Sequence, residues 1–206
     1  VPLKPAGSKT VTASQIDSGA AGSGTVLTAD GLGGSAFLAA GGGGAITLLS
    51  STTLGSNGTF DIQSISQSYN DLILVMIARG SGSNSGADAL VRFNNDSGAN
   101  YQYNYVSGGA ATNSPTAQAS VDMSAVWADA SFTADRWGAG ELIIEGYAST
   151  TKTKTFNWHV HGSGPASTNY RGGGNWLSDN AINRVQFLPA AGLWITGSSL
   201  RIYGRL

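Results

Sequence analysis

Thr155-Phe156-Asn157-Trp158-His159-Val160-His161 alternates apolar and polar residues without a break. Successive side chains of a β-strand point to opposite faces, so Phe156, Trp158 and Val160 belong to a core, and Asn157, His159 and His161 to a wet or interfacial face. A second stretch, Asp71-Leu72-Ile73-Leu74-Val75-Met76-Ile77, is apolar on both faces and reads as a central strand. Outward from these two, short runs follow one another, separated by Gly, Asn, Asp and Ser clusters. The candidates are Ile46 to Leu49, Thr59 to Ile65, Ala89 to Phe93, Tyr101 to Val106, Gly140 to Tyr147, Asn183 to Leu188 and Ser199 to Tyr203. Eight to ten strands at this spacing predict an all-β sandwich or barrel.

Turn chemistry agrees: Asn57-Gly58, Asn95-Asp96-Ser97-Gly98 and Gly197-Ser198 supply the positive-φ or Asx-type positions that tight corners need. Helix has little room: outside the strand candidates, Thr116 to Ala130 is free of Gly and Pro for long enough to allow a turn or two. No sequence repeat of about 20 to 50 residues is visible, which argues against a propeller or solenoid.

Before Ala45 the text is different. Residues 1–44 are rich in Gly, Ala and Ser, carry isolated apolar residues such as Ile16, Val26, Leu27, Phe37 and Leu38, and end in Gly41-Gly42-Gly43-Gly44. Such a segment buries too little apolar surface to offset its ordering entropy alone. It is read as an extended, low-complexity arm that sister subunits or a larger particle support, with the head domain at residues 45–206.

Composition narrows the function. Charged residues make up 11% of the 206, against roughly 25% in ordinary domains. The 30 glycines are about double the usual share of roughly 7%, and together these figures exclude a coiled coil or a charge-rich bundle. With 11 Lys+Arg against 12 Asp+Glu, the net charge of -1 gives no electrostatic grip on nucleic acid or anionic membranes. There is no cysteine, hence no disulfide framework and no thiolate metal site. No stretch approaches the roughly 20 apolar residues of a membrane span, and the expectation is a soluble chain without an export signal.

Several segments resemble bacteriophage tail-fibre, head-fibre and decoration proteins. Ala13-Ser-Gln-Ile-Asp-Ser-Gly-Ala-Ala21, Thr25-Val-Leu-Thr-Ala-Asp-Gly31 and Gly33-Gly-Ser-Ala-Phe37 resemble the linker that precedes a fibre's globular head. Tyr69-Asn-Asp-Leu-Ile-Leu74, Val91-Arg-Phe-Asn-Asn-Asp-Ser-Gly-Ala-Asn-Tyr101, Ala181-Ile-Asn-Arg-Val185 and Gly197-Ser-Ser-Leu-Arg-Ile-Tyr-Gly204 resemble that head. The resemblance implies a virion surface protein assembled in the host cytoplasm, usually a homotrimer, with a β-sandwich or jelly-roll head. Its arm would join other virion proteins of the tail or the capsid shell. Two roles follow: a fibre or spike that attaches to the host surface, its receptor expected to be a glycan, or a capsid decoration protein that cements the head.

His159 and His161, at i and i+2, place both imidazoles on one strand face, and a threefold axis could present six of them to a metal as some phage spikes do. Two polar side chains on a wet face or subunit contact is the preferred reading, so no metal and no cofactor are expected. Enzyme motifs are absent: there is no G-x-S-x-G, H-E-x-x-H or P-loop. Glu141 and Glu145 face the same way about 13 Å apart along a strand, beyond the roughly 5 to 9.5 Å of glycoside hydrolysis, although Asp122, Asp129 or Asp135 could pair with either. The expectation is a non-enzymatic protein.

Aromatic residues offer a sugar-binding reading. Tyr101, Tyr103 and Tyr105 share a strand face, while Trp137, Trp176 and Trp194 lie beside Gly-rich or loop text. Around Gly172-Gly173-Gly174, the set Asn169, Tyr170, Arg171, Asn175 and Trp176 combines flat apolar rings with neutral hydrogen-bonding groups; Trp176, Arg171, Tyr170 and Asn175 form the candidate glycan site. The competing reading is that a large sandwich core needs its Trp and Tyr.

Overall fold

A computed structural model describes residues 25–29, 35–39, 46–83, 87–107, 110–113, 117–123, 127–162 and 169–206. The chain divides into two units, Val1–Gly43 and Gly44–Leu206. In the first, β1 (Thr25–Ala29) and β2 (Ser35–Ala39) pair antiparallel, Val26 opposite Leu38 and Leu27 opposite Phe37. The rest of the expected arm lies outside the described residues.

The second unit is all-β. Its strands are β3 (Ile46–Thr53), β4 (Phe60–Ile62), β5 (Asp71–Ala78), β6 (Ala89–Phe93), β7 (Tyr101–Ser107), β8 (Ala110–Asn113) and β9 (Val121–Asp122). They continue with β10 (Gly138–Glu145), β11 (Lys154–His161), β12 (Asn169–Trp176), β13 (Val185–Pro189) and β14 (Ser199–Arg205), and no helix occurs among the described residues. Two antiparallel sheets result, one of eight strands in the order β3-β14-β5-β10-β11-β12-β7-β8 and one of four in the order β4-β13-β6-β9.

They stack as a sandwich because alternate residues on each are apolar. On β11, Phe156, Trp158 and Val160 are buried while Asn157, His159 and His161 are exposed, as the alternation requires. Leu72, Leu74 and Met76 of β5 and Leu142 and Ile144 of β10 join them, and the small sheet answers with Phe60, Val91, Phe93, Val185 and Phe187 in one continuous core. Phe93 meets Phe156 edge-on at 6.0 Å and Trp176 at 5.7 Å, so rings from the two sheets interlock.

The turns behave as their residues dictate. Asn94 and Asn95 take φ of 52° and 58° after β6, and Gly98 N donates to Asp96 Oδ1 at 2.8 Å in an Asx-turn. Gly197 takes φ of 91° before β14. Residues 117–123 and 127–130 hold β9 and turn rather than helix, and the rest of Thr116 to Ala130 lies outside the described residues.

Asn169–Trp176 corrects the sequence reading most. It is absent from the expected strands, yet it is a strand inside the large sheet, paired with β11 on one side and β7 on the other. A Cβ at Gly172 would collide with the Trp158 ring, and one at Gly174 with the Gln102 carbonyl and Tyr103. The glycines therefore admit an indole and a close neighbouring backbone, one of the recognised uses of Gly within a strand.

Candidate functional site

On β12 even-numbered residues point into the sandwich and odd-numbered residues point out. The four candidate glycan residues are therefore split between opposite faces of the sheet, which corrects the sequence reading. Trp176 is 2% exposed, stacked on Tyr101 at 6.4 Å, edge-on to Phe93, with the Lys154 ammonium 6.0 Å from its ring centroid. Tyr170 packs against Tyr105 at 6.3 Å and joins the margin of the core. Arg171 and Asn175 lie on the outer face, where Asn175 Oδ1 accepts a hydrogen bond from Thr155 Oγ1 at 3.2 Å.

Polar anchors confirm the internal role of Trp176. Its Nε1 donates to Asp96 Oδ2 at 2.7 Å, and the same carboxylate accepts from Asn100 Nδ2 at 3.0 Å and Gly98 N at 2.8 Å. Burial alone would raise the Asp96 carboxyl; the bonds from Trp176, Asn100 and Gly98 outweigh it and hold the group below the usual carboxylate range. Lys154 is buried beside it, its Nζ donating to the carbonyls of Lys152, Asp179 and Ser178 at 2.7, 3.1 and 3.4 Å. Burial pushes that ammonium below its usual range, partly opposed by the Asp179 charge. Trp194 is also fully buried, stacked on Phe187 at 4.7 Å, and Tyr101 and Tyr103 line the core. Trp137 is half-buried, its indole over Gly197.

The open concavity lies instead on the outer face of the large sheet. An open cleft of about 320 Å³ is lined by Val75, Ile77, Ala139, Glu141, His159 and His161, with backbone at Met76 and Gly140. Strand register explains it: Ala139 sits between Ile77 on β5 and His161 on β11, and its single methyl leaves a gap between larger neighbours. One row above, Glu141 sits between Val75 and His159, and His159 in turn lies opposite Arg171. His161 Nδ1 is 3.0 Å from Asn169 Oδ1.

Chemically, the cleft has one apolar wall and one imidazole and carboxylate wall, and among the described residues no hydroxyl or thiol side chain lines it. His159 and His161 share a face, but among the described residues no group of three or more His, Cys, Asp or Glu is placed to hold a metal. Asp122 lies on the other sheet, and Asp129 is buried with Ser131 N at 2.9 Å from its Oδ1, so neither joins Glu141 or Glu145. Sequence reasoning placed His159 and His161 on this face but missed Val75, Ile77 and Ala139, because only strand pairing brings β5 and β10 beside β11.

No family model, curated protein or solved structure matches the chain.

Proposed function

We propose that this protein is a non-enzymatic structural protein of the bacteriophage virion surface, a homotrimeric fibre or spike whose jelly-roll head is displayed outward and whose arm joins other virion proteins. The strand order carries the reading. With β7, β8, β11 and β12 set aside as additions to one edge, the remaining eight strands form sheets β3-β14-β5-β10 and β4-β13-β6-β9. In chain order these eight pass between the sheets as first, second, first, second, second, first, second, first. That order matches what a double Greek key would give and supports the jelly-roll reading, an architecture common in viral capsid and lectin domains. Fold likeness alone does not name a function, and the fibre-like sequence segments supply the second support.

Attachment to a host glycan is the first role to test, now on the outer face rather than at Trp176. The burial of Trp176, Trp194 and Tyr101 favours the second role, a capsid decoration protein, because it removes the indole platform that a sugar would stack on.

Gold-labelled antibody on intact particles separates the readings. Label at the tail tip together with lost adsorption on deletion supports the fibre; label over the shell together with lost heat resistance on deletion supports decoration. Absence from purified particles overturns both.

A further inference from the structure

The outer face of the large sheet breaks the rule that its own β11 obeys. An antiparallel strand with one face in the core presents polar residues on the other. β5 instead places Ile73, Val75 and Ile77 there: Ile77 is 42% exposed, Val75 is partly exposed and Ile73 is covered by its neighbours at 9%. Around this column lie Tyr203 on β14, Ile143 on β10, and Ile46 and Leu48 on β3, the last two 58% and 52% exposed. Exposed and half-exposed apolar side chains gathered on one sheet face mark an interaction site.

Charge on the same face is arranged antisymmetrically about β5. Arg201 and Arg205 stand on β14, Glu141 and Glu145 on β10, and the register aligns them in rows: Arg201, Val75, Glu141 in one and Arg205, Asp71, Glu145 in the other. Arg205 is paired with Asp71 at 2.7 Å within the chain. Arg201 and Glu141 stand two strand spacings apart, about 9.6 Å, and among the described residues no ion pair joins either of them.

We propose that this face is where copies of the chain associate, about an axis parallel to β5, with the apolar column of β5 turned to the axis and Arg201 of one copy opposite Glu141 of the next. The pattern selects that geometry. Rotation about an axis along the strands carries the β14 column of one copy onto the β10 column of its neighbour, so positive meets negative. A twofold axis lying across the strands would set β14 against β14 and oppose Arg201 and Arg205 to their own copies, and like charges brought together at an interface are disfavoured. A second copy is therefore the occupant that this surface matches. The inference rests on the homotrimer reading and gives it a surface.

The test uses the full chain, with Arg201→Glu, Glu141→Arg and the double reversal, each checked for native circular dichroism and then followed by sedimentation and native mass measurement over a dilution series. Each single reversal is expected to weaken association roughly tenfold or more, and the double reversal to restore it to within about threefold of the parent. Molar salt should weaken the parent assembly as well. A chain that is monomeric at every concentration overturns both this face and the trimer. An assembly indifferent to all three variants, or one that the double reversal fails to restore, overturns this face and leaves the trimer standing. A dimer that follows the reversals upholds the face and removes the threefold reading.

Discussion

Trp176→Ala decides whether this indole is a core residue or a ligand platform. The side chain is almost wholly buried, meets Tyr101 and Phe93, lies over the Lys154 ammonium and bonds to Asp96 at 2.7 Å. Truncating a buried Trp to Ala costs about 3–5 kcal/mol through lost transfer energy and the cavity left behind. Trp176→Phe keeps most of the ring and removes only the bond to a charged acceptor, worth roughly 1.5–3 kcal/mol. With a urea slope of about 2 kcal/mol/M, the Ala variant should unfold roughly 1.5–2.5 M earlier than the parent, and the Phe variant should fall between them. Far-ultraviolet circular dichroism follows the transition without depending on the Trp that is removed. A Trp176→Ala protein that keeps the parent unfolding free energy within about 0.5 kcal/mol, yet no longer adsorbs to cells, would refute the core assignment and return the indole to a glycan site.

Four further outcomes follow from the same structure. Gly172→Ala forces a methyl into the Trp158 ring and should cost about 1–3 kcal/mol, read as an earlier thermal midpoint. Replacing both His159 and His161 by Asn should leave the unfolding free energy of the head within about 1 kcal/mol, because both side chains are exposed; elemental analysis of the purified parent tests the metal alternative, which needs about one ion per three chains. Asp61 is held below the usual carboxylate range by Arg184, which grips it at 2.6 and 2.7 Å, and Asp96 lies below that range through its hydrogen bonds. Their stabilisation is thus full above the unfolded carboxyl pKa of about 4 and lost as pH falls through the native values; urea midpoints at pH 7 and pH 3 should show Asp61→Asn and Asp96→Asn converging on the parent at the acid end. Burial raises the Tyr101 phenol, whose oxygen accepts from Phe93 N at 2.9 Å, so its contribution is full below about pH 10 and is lost as pH rises towards the native value; Tyr101→Phe should flatten the alkaline limb of stability.

Particular strands show where sequence reading succeeds. Lys154–His161 was legible because one face of a strand in a sandwich must be apolar and the other need not be, and a period of two survives any choice of neighbours. Ala89–Phe93 was legible for the same reason, with Ala89, Val91 and Phe93 all fully buried. Asn169–Trp176 was not. Its glycines carry no face of their own, and what they accommodate, the Trp158 ring and the β7 backbone, comes from 14 residues upstream in one case and from roughly 70 in the other. The candidate glycan set is divided by the same physics: Trp176 and Tyr170 share a parity, and so do Arg171 and Asn175, but parity could be applied only once the segment was known to be a strand.

The local sequence by itself therefore determined the all-β class, the turn positions and the in-or-out sense of the alternating strands, since these depend on backbone sterics and on burial at a fixed period of two. Only the tertiary structure decided which strands lie side by side, and with that the cleft beside His159 and His161 and the rows that set Arg201, Val75 and Glu141 abreast. Those neighbours come from β5, β10, β11 and β14, tens of residues apart in the chain. Their juxtaposition is set by how two sheets share one core, a global balance that no short stretch encodes.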